Sequence, residues 1–115
     1  MSEASEQTAL FKWAEYTLKP EIFDMMFAVP NGGSRNDIEA THLKAQGVKR
    51  GTPDILLLVP SKGFHGLAIE LKVGKNKPSK EQQAFILSLC GFGYKAQCVW
   101  GWDNARQLIE DYLKG

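Results

Sequence analysis

Asp54, Glu70 and Lys72 are the residues of this 115-residue chain whose types and spacing can do chemistry. Glu70 and Lys72 stand two positions apart, so on a strand they share one face. Fifteen residues separate Asp54 from Glu70. Two apolar runs, Ile55–Val59 and Leu67–Val73, occupy most of that interval around the loop Pro60–Gly66. So short a connection predicts an antiparallel hairpin, in which facing residues have position numbers of constant sum. With the loop centred near Lys62 or Gly63, Asp54 falls opposite Glu70 or Lys72. Two carboxylates and an ammonium then converge on one patch of a largely apolar sheet. Carboxylates a few Å apart on low-dielectric walls raise each other's pKa. A hard divalent cation, Mg²⁺ or Mn²⁺, relieves that repulsion and takes phosphate oxygens and water as its other ligands. It can polarise a scissile phosphate and acidify a bound water, while Lys72 stabilises developing negative charge or helps to position the water. The plainer alternative makes Asp54 a turn-capping residue after Pro53 and Glu70 and Lys72 a solvated strand face, since short motifs match by chance.

The elements that must position these residues are legible in outline. Ser5 to Leu18 has helical spacing through Leu10, Phe11 and Ala14 and is ended by Pro20. Met25–Val29 predicts a strand, closed by the loop Pro30-Asn31-Gly32-Gly33. Asn36 or Asp37 caps a helix to about Gln46, ended by Gly47. Gly51-Thr52-Pro53 is a turn into the strand Ile55–Val59, whose unbroken apolar character predicts burial on both faces. After the hairpin comes a basic loop, Gly74 to Pro78. Ser79 caps a helix to Leu89 or Cys90, Tyr94–Trp100 forms a strand, and Trp102–Leu113 closes the chain with Ala105, Leu108, Ile109 and Tyr112 on one face. The order α-β-α-β-β-α-β-α, with no repeat or linker, predicts a single domain over residues 1–115.

The formal net charge is only +1, but the charge is unevenly placed. Thr41 to Lys80 holds eight cations and just two acids, Asp54 and Glu70, against six cations and eleven acids elsewhere. That polarity predicts one face that meets a polyanion, and the two acids inside it are the candidate ligands. Hydrophobic content of 43% with 23% charged residues is ordinary for a globular chain. No apolar run has the roughly 18–20 residues that span a bilayer, and the N-terminus lacks a signal-peptide pattern. Cys90 and Cys98 make neither a disulfide framework nor a zinc site. The expected setting is a reducing cytoplasm, bacterial or phage-infected.

The surrounding residues make the pattern specific. Pro53-Asp54 followed by Glu70-Leu71-Lys72 is the PD-(D/E)xK nuclease signature. The flanking text, Val29-Pro30-Asn31-Gly32-Gly33, Leu43 to Asp54, His65 to Lys72 and Ser79-Lys80-Glu81-Gln82 followed by Gly93-Tyr94, resembles the virus-type replication-repair nuclease (VRR-NUC) family along essentially the whole chain. The resemblance implies a restriction-endonuclease-like α/β core, a mixed central sheet flanked by helices. It implies metal-dependent hydrolysis of DNA that leaves a 5′-phosphate. It implies Asp54, Glu70 and the Leu71 backbone carbonyl as metal ligands, with Lys72 as the catalytic cation. A further acid is expected on the first helix, where Glu6 fits best and Glu3 competes; Glu6 is equally suited to complement a helix N-terminus. A glutamine is expected after the Glu-x-Lys strand, where Gln82 fits and Gln83 is the fallback; Ser79-x-x-Gln82 is also a capping box.

Stand-alone proteins of this size in the family look like phage or bacterial homodimers acting on branched DNA, including four-way (Holliday) junctions. A two-fold dimer would match a junction's pseudo-symmetry. Flap, nicking or restriction-like cleavage, or DNA binding without catalysis, are the rival readings. Candidate DNA contacts are Asn31, Gly32 and Gly33 through backbone N–H groups, and Lys49, Arg50, Lys75, Lys77 and Lys80 through phosphates. His42 and His65 are expected on the surface away from the chemistry. Trp13, Trp100 and Trp102 are expected in the core or an interface.

Overall fold

The structure is a computed structural model that describes residues 1–30 and 37–114. Its elements are α1 (Glu3–Thr17), α2 (Pro20–Phe23), β1 (Met26–Ala28), α3 (Asp37–Ala45), β2 (Ile55–Leu57), β3 (Leu67–Lys72), α4 (Lys80–Gly91), β4 (Lys95–Trp100) and α5 (Trp102–Leu113). Each expected helix and strand is present. Helix α1 starts two residues earlier than expected, because Ser2 caps it reciprocally with Ser5. The one-turn helix α2 is the element the sequence did not announce. Pro20 ends α1 but also stands at the first helical position of α2, where its missing N–H costs nothing. The expected cap at Asn36 lies outside the described residues.

The four strands form one mixed sheet in the order β1-β2-β3-β4. Strands β1–β2 and β2–β3 are antiparallel, and β3–β4 are parallel. Pairing of Ile55 with Ile69 and Leu57 with Leu67 fixes the hairpin register. The expected strand Ile55–Val59 is cut short at Leu57. Beyond it Leu58 turns outward, and the Val59 carbonyl accepts a hydrogen bond from the Tyr112 hydroxyl instead of a ladder partner.

Alternation along β3 divides the sheet into two unlike faces. Leu67, Ile69 and Leu71, with Ile55, Leu57 and Val99, pack against Leu10 and Ala14 of α1 and Ala105, Ile109 and Tyr112 of α5. These side chains form the core. The opposite face carries Ala68, Glu70 and Lys72, paired with Ala96, Cys98 and Trp100 of β4. Helix α4 approaches this face from the side of β4, where the Cys90 thiol reaches the Ala96 carbonyl at 3.5 Å. The small side chains of Ala68 and Ala96 leave room there. One face therefore stabilises the fold, and the other is free to hold charge.

Candidate active site

Glu70 is on the central strand β3 and is 1% exposed, an expensive place for a carboxylate. Asp54 sits immediately before β2, and continuing the observed register sets it opposite Glu70. Its Oδ2 accepts the Leu71 N–H at 2.9 Å, which ties it across the hairpin, while its own carbonyl accepts the Val29 N–H at 2.7 Å. Glu70 Oε2 takes two donors: Gln82 Nε2 at 2.8 Å and the Lys72 ammonium at 3.4 Å. Glu70 Oε1 is buried with no hydrogen-bond partner among the described residues.

The electrostatics follow from this crowding. Burial, then the charge of Asp54, push Glu70 up to about 7, against the pull of Lys72. Asp54 is raised as well, chiefly by burial; the Leu71 N–H, the neighbouring Glu70 carboxyl as a hydrogen-bond partner and Lys72 oppose the rise, and Glu3 adds to it. Cys98, paired with Glu70 across β3–β4, is pushed up to about 11 by burial and by the Glu70 charge. A thiol raised in this way is protonated at neutral pH.

The position of Gln82 follows from the local sequence. Ser79 accepts the Gln82 N–H through its hydroxyl, and Gln82 Oε1 accepts the Ser79 N–H at 2.8 Å. The cap leaves the amide nitrogen pointing at Glu70. Gln83 instead donates to the Pro78 carbonyl, so Gln82 is the one in the site. The turn before Asp54 is held against the same helix end. Gly51 has φ +85°, and a Cβ there would lie 2.6 Å from the Glu81 carbonyl carbon and oxygen. Gly51→Ala is expected to destabilise the fold by about 1–3 kcal/mol in chemical denaturation. Gly47→Ala serves as the control, with φ +101° and open space around the added methyl; it should lose distinctly less, and equal losses would refute the close-packing argument.

Of the two acids in the first turn of α1, Glu6 is buried at 8% exposure. Its Oε1 accepts the Trp102 N–H at 3.4 Å, at the N-terminus of α5, where a carboxylate is favoured. Its Oε2 has no partner among the described residues. Glu3 accepts a hydrogen bond from Asn76 in the basic loop at 3.1 Å and adds its field to that on Asp54. Among the described residues no three His, Cys, Asp or Glu side chains gather in one metal-sized cluster. The site is thus built around a carboxylate pair.

Lys49 and Arg50 are exposed on the turn before Asp54, and Lys75, Lys77 and Lys80 are exposed between β3 and α4. These two cationic groups flank the carboxylates in sequence. Asn31, Gly32 and Gly33 lie outside the described residues. His42 and His65 are exposed, and His65 stacks edge-on to Tyr94 with ring centroids 5.5 Å apart. Trp13 and Trp102 pack on the core as expected, but Trp100 does not. Its register partner is Lys72 and it is 40% exposed. Sequence alone could not show this, because an apolar run does not reveal that its strand ends a sheet.

The fold is that of the restriction-endonuclease-like α/β class. The pattern of the VRR-NUC domain matches residues 3–101, and the chain belongs to that family. A solved structure described as a "VRR_NUC domain protein" superposes with a TM-score of 0.87 at 30% sequence identity, covering 99% of this chain and 89% of the other. No curated protein matches the sequence. VRR-NUC proteins are nucleases, their substrate is DNA, and they generally use divalent metal ions. Among the described residues no helix is long and apolar enough to cross a membrane.

Proposed function

We propose that this chain is a divalent-cation-dependent, structure-selective DNA endonuclease acting on branched DNA such as four-way junctions, as a homodimer. The observation that carries the chemistry is the buried Asp54–Glu70 pair, with Glu70 Oε1 left without a donor among the described residues and Lys72 alongside. Two facing carboxylates in a desolvated site fit Mg²⁺ or Mn²⁺, because such ions take one or two protein carboxylates and complete their shell with water and phosphate. Asp54, Glu70 and the Leu71 carbonyl would hold the ion; Glu6, the expected further ligand, is not gathered with the pair and would have to approach it on metal binding. When bound, the ion polarises the phosphate and acidifies a water.

The chain's own residues supply the remainder. Lys72 offsets charge that builds on the phosphate oxygens as water adds to phosphorus and the bond to the 3′ oxygen breaks, leaving a 5′-phosphate. Gln82 holds Glu70 in orientation through its amide N–H. Lys49, Arg50, Lys75, Lys77 and Lys80 grip the phosphate backbone, and Asn31, Gly32 and Gly33 are proposed to do so through backbone N–H groups.

Dimerisation is supported by exposed apolar side chains that the monomer leaves uncovered, among them Phe27, Ile38, Leu87 and Phe92. The test compares labelled four-way junction, flap, nicked and plain duplex DNA in Mg²⁺, Mn²⁺ and EDTA, with molar mass measured by sedimentation. Junction cleavage should dominate, EDTA should stop it, and the mass should be that of a dimer. Equal cutting of plain duplex would refute structure selectivity, and cutting in EDTA would refute the ion's role.

A further inference from the structure

Trp100 is a large aromatic residue paired directly with Lys72. Strand β4 runs parallel to β3 with Lys72 and Trp100 directly paired, so the two side chains are neighbours on the charged face, about 5 Å apart at the backbone. Strand β4 is the last strand of the sheet among the described residues, and 40% of Trp100 is exposed. Its orientation is nonetheless fixed, because the indole N–H donates to the Asn76 carbonyl at 2.7 Å.

That bond satisfies the ring's only polar group, so hydration of the N–H does not explain the exposure. Capping of α5 does not explain it either, since the Asn104 amide uses the Trp100 carbonyl and not the ring. Asn76 lies between Lys75 and Lys77. The loop that anchors the indole therefore also presents two exposed cations beside it. A rigid aromatic ring beside cations that can take phosphate is what binding of a single unpaired nucleotide requires.

We propose that Trp100 is a stacking platform for an unpaired nucleobase next to the scissile phosphate, and that it favours branched over continuous DNA. The proposal rests on the nuclease reading above. Bases in an intact duplex are stacked on each other and must be extruded at a cost of a few kcal/mol before they can meet a ring. At a branch point stacking is interrupted on one side and that cost is lower, so the platform favours branched substrates.

The experiment uses the full chain and four-way junctions in which each nucleotide flanking the cleavage position is replaced in turn by an abasic residue or by 2-aminopurine. Binding is read by anisotropy in Ca²⁺, and cleavage in Mg²⁺. With the unaltered protein, one abasic position should weaken binding about tenfold to a hundredfold, and 2-aminopurine at that position should be quenched. Trp100→Ala should lose that sensitivity and bind the intact junction as weakly as the unaltered protein binds the abasic one. Trp100→Phe should restore most of the difference, and loss on plain duplex should be smaller. If no abasic position matters to the unaltered protein while it still cuts junctions, the platform is refuted and the nuclease reading survives. If the unaltered protein neither binds nor cuts any DNA form, the nuclease reading itself fails. A fall in sedimentation mass for Trp100→Ala and Trp100→Phe alike would assign the ring to a protein interface and overturn the proposal.

Discussion

Lys72→Ala should cut branched DNA about a hundred- to a thousandfold more slowly than the unaltered protein while still binding it. The magnitude is that of removing one preorganised group which stabilises charge developing in a transition state. Lys72 is poised for that role. Its ammonium is 3.4 Å from Glu70 Oε2, and its side chain is only 12% exposed. A solvated lysine would supply far less, because water screens its charge. Binding should persist because the exposed cations of the two flanking loops are untouched. Lys72→Arg keeps the charge but substitutes a planar fork for a compact ammonium, so partial recovery is expected. Single-turnover cleavage with saturating enzyme separates the chemical step from binding. Undiminished cutting by Lys72→Ala would remove Lys72 from the mechanism.

Glu70→Gln should abolish cleavage and yet make the metal-free protein more stable at pH 8. Folding raises Glu70 from an ordinary value of 4.5 to about 7. Between those values the folded protein holds a proton that the unfolded chain has released. Stability must therefore fall as pH rises through that window and level off above it. The cost at pH 8 is on the order of 3 kcal/mol, at about 1.4 kcal/mol per pKa unit, and the raised Asp54 acts in the same direction. A neutral glutamine removes the Glu70 share. Urea unfolding in EDTA should show the variant more stable at pH 8 and equal near pH 4.5. Adding Mg²⁺ or Mn²⁺ should reverse the order, since a ligand of the folded state stabilises it by mass action and the variant lacks the charge that binds it. A wild-type stability that stays flat from pH 5 to 8 in EDTA would show that the pair is not a buried charge cluster.

The hairpin was legible because it obeys a counting rule. The short Pro60–Gly66 connection sets Asp54 opposite Glu70 or Lys72, and the observed pairing of Ile55 with Ile69 selects Glu70. The capping box at Ser79 and Gln82 was legible for the same reason, since its partners are fixed by local spacing. Strand order was not. Nothing local in Tyr94–Trp100 states that it pairs in parallel with β3 or that it ends the sheet. Those facts depend on crossover through α4, and they decide that Trp100 meets solvent. The α1 acids show the same limit. Helical spacing places Glu3 and Glu6 one turn apart, but the packing of α1 on α5 sends Glu6 to the Trp102 N–H and leaves Glu3 to Asn76.

The amide of Gln82 has a fixed polarity. Its oxygen is committed to the Ser79 N–H, so rotating the group by half a turn would break the helix cap and aim an oxygen at the Glu70 carboxylate. A side chain that elsewhere offers either end to its surroundings is here restricted to giving protons. Glutamate at this position would cap the helix equally well, yet it would turn a donor into a third negative charge. Helix initiation alone would accept either residue at position 82; only the carboxylate below discriminates between them.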